Sequence, residues 1–160
     1  MADMRGVVTS LVLLAGCGAV QASAEPSGPR LPADSISFEI SSWGSPMESF
    51  QIASDGSGEY RKAPEFRAPV QTHRFNAGPA GFARIRAALA GIEHFTSTAP
   101  ACGNRMTDFP YGQVIWQHGT ARAAVSFDVG CQGPEMQRVV NAAHEATRIA
   151  EQLSQTSAAH

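Results

Sequence analysis

The sequence predicts an α+β fold: a two-layer domain in which an antiparallel sheet of about six strands carries two helices packed on one face. Three observations lead there. From Ser35 onward, apolar residues alternate with polar ones, the pattern of a sheet with one buried face. Two later stretches, 77–95 and 133–154, switch to helical spacing, and each carries a single apolar stripe. The length, 160 residues, corresponds to one domain large enough to bury a core without a metal. A jelly roll or sandwich is the competing architecture, and the two helical stripes argue against it.

Taken in order, "ISFEIS" puts Ile36, Phe38 and Ile40 on one face of a first strand. "ESFQIAS" repeats the pattern with Phe50 and Ile52, and Asp55-Gly56 reads as a tight turn into "SGEYRK". "VQTHRFN" is a weaker fourth strand, because Arg74 and Phe75 leave its buried face undecided. In the first helix Phe82, Ile85, Leu89 and Ile92 form the stripe, with Pro79 at its start and Gly91 as its stop. A hairpin around Gly119 follows, whose second strand buries Ala123, Val125, Phe127 and Val129. The second helix opens at Pro134 and turns Met136, Val139, Val140, Ala143, Ala146, Ala150 and Leu153 inward. Both helices follow a strand and begin with Gly-Pro, which raises the possibility of a strand-plus-helix unit used twice.

The first residues carry an address. Val7 to Leu14 is an apolar run broken only by Thr9 and Ser10. A bilayer span needs about 20 apolar residues, so this shorter run fits an export signal. Leu14-Ala15-Gly16-Cys17 resembles the lipobox of bacterial lipoproteins. That resemblance implies removal of residues 1–16, acylation of Cys17 and, because Gly18 stands where Asp would retain the protein at the inner membrane, anchorage to the outer membrane facing the periplasm. Ala22-Ser23-Ala24 offers the alternative, an ordinary secretory cut that removes residues 1–24 and releases a soluble periplasmic or secreted chain. Residues 17–34 are rich in Ala, Gly, Ser and Pro and read as a flexible tether, residues 35–154 as the domain, and 155–160 as a disordered tail. The stretch "WGSPMESFQIASDGSGEYR" also resembles a segment of small uncharacterised exported bacterial proteins. It shares Pro46, Phe50, Ile52, Asp55, Gly56 and Tyr60, with Ser45 and Glu48 where that pattern has Cys and Tyr.

Chemistry is sparse. Cys102 and Cys131 survive either cut, and in an oxidising compartment such a pair forms a disulfide. The formal charge of −2 gives no reason to expect nucleic acid. His73, His94, His118, His144 and His160 show no metal-ligand spacing, and no nucleophile elbow or phosphate loop occurs, so no catalytic residue, metal or cofactor is expected. Arg61, Lys62, Arg67, Arg74, Arg84 and Arg86 crowd one stretch, but strand alternation and helical rotation should scatter them. The long segment 93–112 offers His94, Asn104, Arg105, Asp108 and Tyr111 as a binding loop stapled at Cys102, and Trp43 in a turn would be an aromatic anchor. The expected function is therefore non-enzymatic: binding an envelope protein or ligand, or supporting an assembly. An inhibitor acting on an envelope enzyme is the alternative, and a small hydrolase or thiol-redox enzyme a more distant one. The intact mass of the mature protein from a bacterial host decides the address. The expected species starts at Cys17 with added acyl mass; a species starting at Glu25 identifies the second cut and a diffusing protein.

Overall fold

The computed structural model describes residues 30–157, so Cys17 and both cleavage sites lie outside the described residues. The predicted architecture is present: one antiparallel sheet of six strands, a second sheet of two short strands, and two α-helices. The large sheet contains β1 (Ser35–Ser42), β2 (Ser45–Ala53), β3 (Ser57–Lys62), β4 (Gln71–Asn76), β6 (Tyr111–His118) and β7 (Ala121–Asp128), in the order β4-β3-β2-β1-β6-β7. The small sheet pairs β5 (Asn104–Arg105) with β8 (Cys131–Gln132). Helix α1 (Gly78–Leu89) continues into a 3-10 helix (Ala90–Thr96), and α2 (Pro134–Ser157) is the last element of the described residues. The chain therefore forms a four-strand meander first and later inserts a hairpin against the free side of β1.

One face of the sheet is apolar throughout. Ile36, Phe38 and Ile40 of β1 align with Ile52 and Phe50 of β2, Tyr60 of β3, Trp116 and Val114 of β6, and Val125 and Phe127 of β7. All of these side chains are buried. Helix α2 lies across this face in contact with β2, β3, β4, β7 and α1, and its predicted stripe from Met136 to Leu153 is buried as expected. The weak fourth strand resolves cleanly. Phe75 points to the helices at 5% exposure, while Arg74 lies on the open face 3.6 Å from Glu59.

Two glycines let rings cross the sheet. Gly58 pairs with Phe75 and Gly112 with Phe127, and in each pair the ring lies over the glycine where a side chain would stand. A Cβ on Gly112 would come within 2.1 Å of the Glu39 carbonyl oxygen and 2.6 Å of the Phe127 ring. The space lets Phe127 stack on Phe38 at 5.9 Å, and Phe38 stacks on Phe50 at 5.6 Å. Each of these Gly-Phe hairpins is followed by a helix that opens with Gly-Pro, and the two hairpins form the two flanks of the sheet.

The ends of the domain differ from expectation. The stretch read as tether through residue 34 is fixed over its last residues. The Leu31 amide donates to buried Glu93 at 2.6 Å, and the Leu31 carbonyl accepts from Arg86 at 2.6 Å. Asp34 ties β6 to two turns: its amide donates to Gln117, its carbonyl accepts from Ser54 just after β2, and its carboxylate accepts from the Gly119 amide in the β6–β7 turn at 2.8 Å. That amide and His118 hold the Asp34 carboxyl below its ordinary range, so the carboxylate's share of this clasp is full above about pH 4 and is lost as pH falls through the lowered value, while the two backbone bonds do not titrate. At the other terminus α2 runs on through Ser157, past the residue 155 where a loose tail was expected. The Gly112 contact is testable. Gly112→Ala should cost at least about 2 kcal/mol and lower Tm by roughly 8 °C, because backbone cannot yield to the new methyl. Gly91→Ala, with open space around it, should leave Tm unchanged or slightly higher in the same thermal melts.

Candidate functional site

Strand directions give the sheet two unlike ends. β1, β3 and β7 run toward one end; β2, β4 and β6 run from it. Three connections meet there: Trp43-Gly44 between β1 and β2, residues 63–70 between β3 and β4, and residues 106–110 leading into β6. The opposite end carries Asp34, the Ser54–Gly56 turn, Ala77-Gly78 and the Gly119-Thr120 turn.

The large exposed apolar side chains of the described residues are all at the first end. Among the described residues the large hydrophobic side chains left exposed are Trp43, Phe66, Val70, Met106, Phe109 and Tyr111, and each lies in or directly beside one of those connections. Backbone strain collects with them. Trp43, Arg67 and Asp108 have φ of 51°, 64° and 71°, the left-handed region that non-glycine residues rarely occupy. One is an exposed aromatic, and the other two adjoin Phe66 and Phe109. At the polar end the positive φ values of the described residues belong to Gly56, Gly78 and Gly119, which adopt them without cost. The left-handed non-glycine residues and the large exposed apolar side chains of the described residues thus share one end of the sheet.

Trp43 is the clearest case. With Gly44 at φ 73° it forms the two-residue turn of a hairpin in which both residues are left-handed. Asn or Asp normally fills the first position because a bulky side chain crowds the backbone there. Here a tryptophan fills it at 67% exposure, in contrast to Trp116, which is core at 1%.

The segment expected as a stapled loop is stapled and also carries a short strand. Cys102 and Cys131 are bridged with Cα atoms 5.4 Å apart, and β5 pairs with β8 immediately beside the bond. Met106 donates to the Gly130 carbonyl and Val129 to the Pro110 carbonyl, so residues 104–110 form an irregular extension of β6 along the continuation of β7. Closing 29 residues of sequence contributes about 3.5 kcal/mol in the chain-entropy account. Between this segment and the ends of β1 and β6 lies a hollow of about 570 Å³, lined by Glu39, Pro100, Arg105, Tyr111, Asp128 and Met136 among others. Arg105 pairs with Asp128 at 3.2 Å, and Gln113 donates to Glu39.

Of the predicted binding residues, Arg105 and Tyr111 therefore line one hollow. Trp43 and Asp108 stand in the turns at the same end of the sheet, and Asn104 is exposed on β5. His94 does not join them: it sits on the 3-10 helix with its ring 3.9 Å from that of Phe95. Sequence reasoning missed Phe66, Val70, Met106, Phe109, Glu39 and Asp128. Their shared position follows from strand direction, which no local pattern encodes.

A second hollow of about 450 Å³ lies where β3 and β4 meet the end of α2, lined by Tyr60, Lys62, His73, Glu151 and Ser154 among others. Tyr60 donates to Glu48, and burial first and then Glu48 raise its pKa, keeping the phenol protonated. Lys62 bridges Glu48 and Glu151 at 3.7 Å and 3.1 Å, and the bond to Glu151 raises its pKa. These groups satisfy one another. Among the described residues no three His, Cys, Asp or Glu side chains come together as a metal site.

No protein-family model matches the chain, and no curated protein is similar to it. The strain at Trp43 has a measurable consequence. Trp43→Asn should stabilise the fold by about 1 kcal/mol and raise Tm by about 4 °C, although it removes an aromatic side chain. A lower Tm would mean that Trp43 is held in place by packing.

Proposed function

We propose that this chain is the folded part of an exported envelope protein, tethered through Cys17, whose aromatic end docks on a protein partner. The observation that carries this reading is the coincidence, at one end of the sheet, of the exposed apolar side chains with the strained non-glycine backbone. A fold gains nothing for itself by holding Trp43 left-handed and solvent-exposed. Binding energy at protein interfaces concentrates in a few aromatic anchors ringed by polar groups. Trp43, Phe66, Phe109 and Tyr111 supply such anchors, and Glu39, Arg105 and Asp128 supply polar groups beside Tyr111.

The chemistry at this end suits recognition better than turnover. The Arg105–Asp128 and Gln113–Glu39 pairs answer each other's charges and dipoles and so hold preset polar groups beside Tyr111. The disulfide supports the same reading, because a staple beside the hollow fixes its shape before a partner arrives and lowers the ordering cost of binding.

The test is site-specific photo-crosslinking in the producing cell. A photoreactive phenylalanine analogue placed at Trp43 or at Phe109 should give a discrete adduct with one envelope protein. The same analogue at Thr120, on the polar end, should give none. Equal adducts from all three positions, or none from the aromatic end, would sink the proposal.

A further inference from the structure

β7 is an edge strand of the sheet and also packs against the 3-10 helix. In an antiparallel ladder, residues alternate between pairs that exchange backbone hydrogen bonds and pairs whose N–H and C=O groups point away from each other. The Val129 amide donates to the Pro110 carbonyl at 2.9 Å, which fixes the phase of the β6–β7 ladder. By the register, Gly112–Phe127, Val114–Val125, Trp116–Ala123 and His118–Ala121 are then the bonded pairs. Arg122, Ala124, Ser126 and Asp128 consequently direct their amides and carbonyls outward, off the edge of the sheet. The register is unbroken from Tyr111–Asp128 to His118–Ala121, with no bulge. β7 contains no proline and no lysine, the usual guards of an open edge. The other edge strand, β4, is shorter and closely follows Pro69.

We infer that β7 is a pairing edge for β7 of a second copy of this chain, which joins the two sheets about a two-fold axis through Val125. The register follows from the sequence. Setting Val125 opposite Val125 brings all four outward residues into bonded positions, Arg122 against Asp128 and Ala124 against Ser126, each pair occurring twice. A shift of two residues either way leaves outward groups unpaired. Arg122, Ala124, Ser126 and Asp128 also share the open face of the sheet. The same register therefore puts an arginine across from an aspartate at both ends of the joint, with only small side chains between them. Opposite charges directly across a strand pair are favourable and like charges are not. The palindrome of charge and size, Arg-x-Ala-x-Ser-x-Asp, is the argument for a second copy over an unrelated strand.

The test measures mass by sedimentation on the processed full chain, kept in dilute nonionic detergent if acylated. The wild-type protein should show twice the single-chain mass at high concentration and dissociate on dilution. Ala124→Pro removes an outward amide that has no hydrogen-bond partner among the described residues, so circular dichroism should be retained and the mass should halve. Arg122→Asp should be monomeric alone, since it sets like charges face to face, and an equimolar mixture with Asp128→Arg, which also gives up the Arg105 pair within its own chain, should recover the doubled mass. Trp43→Asn should leave association unchanged, which keeps this inference separable from the docking of a partner. A wild-type protein that stays at single-chain mass at every concentration, or an Ala124→Pro variant that still doubles, overturns the inference.

Discussion

Everything in the sheet hangs on the two-sided pairing of β1. The strand meets β2 through a two-residue turn and β6 across a sequence gap that sets Ser35 opposite Gln117. Without the second pairing, the meander and the late hairpin would be separate small sheets, each with an uncovered face. Phe38 is the hinge pin of this joint, stacked on Phe50 to one side and on Phe127 to the other. The stack needs Gly112 between Phe38 and Phe127, so a missing side chain is as much a part of the core as the rings. Such distant pairing carries a loop-closure cost before it yields contacts, which makes this step a slow one in folding.

The two ends of the sheet show how the same backbone task is met in two ways. At the polar end each left-handed position of the described turns is a glycine, and Asp34 ties β6 to the turn after β2 and to the β6–β7 turn with hydrogen bonds. That end is relaxed and closed. At the aromatic end the chain puts Trp, Arg and Asp into left-handed positions and leaves apolar surface beside them. The cost, about 1–3 kcal/mol for each such residue, is carried by a sheet whose core is dense and whose last connection is stapled.

Much of the fold was legible because its strands and helices bury one face each. Period-two runs at Ile36–Ile40 and Phe50–Ile52, and the stripes of α1 and α2, state their facing locally. β4 was ambiguous because Arg74 and Phe75 are both bulky neighbours; only Gly58, on the adjacent strand, selects Phe75 as the inward residue. β5 was missed because two residues have no period, and their pairing is set by Cys131 and Gly130 from a distant part of the chain. The anchoring of Leu31 depends on Arg86 and Glu93, 55 and 62 residues away. Trp43 could be singled out from its turn alone. Phe66 could not, since nothing near it in sequence says that the 63–70 connection and Tyr111 share an end of the sheet.

The direction in which β7 runs has a consequence for valency. Copies joined edge to edge along an antiparallel strand lie head to tail, so their aromatic ends look in opposite directions. Such a pair cannot press both ends onto one flat partner and gains no avidity from being double. With β7 paired as inferred and the aromatic end docking as proposed, it would be a two-headed linker spanning two partners, one at each end. The spacing between them is set by a rigid, shared sheet instead of a flexible chain.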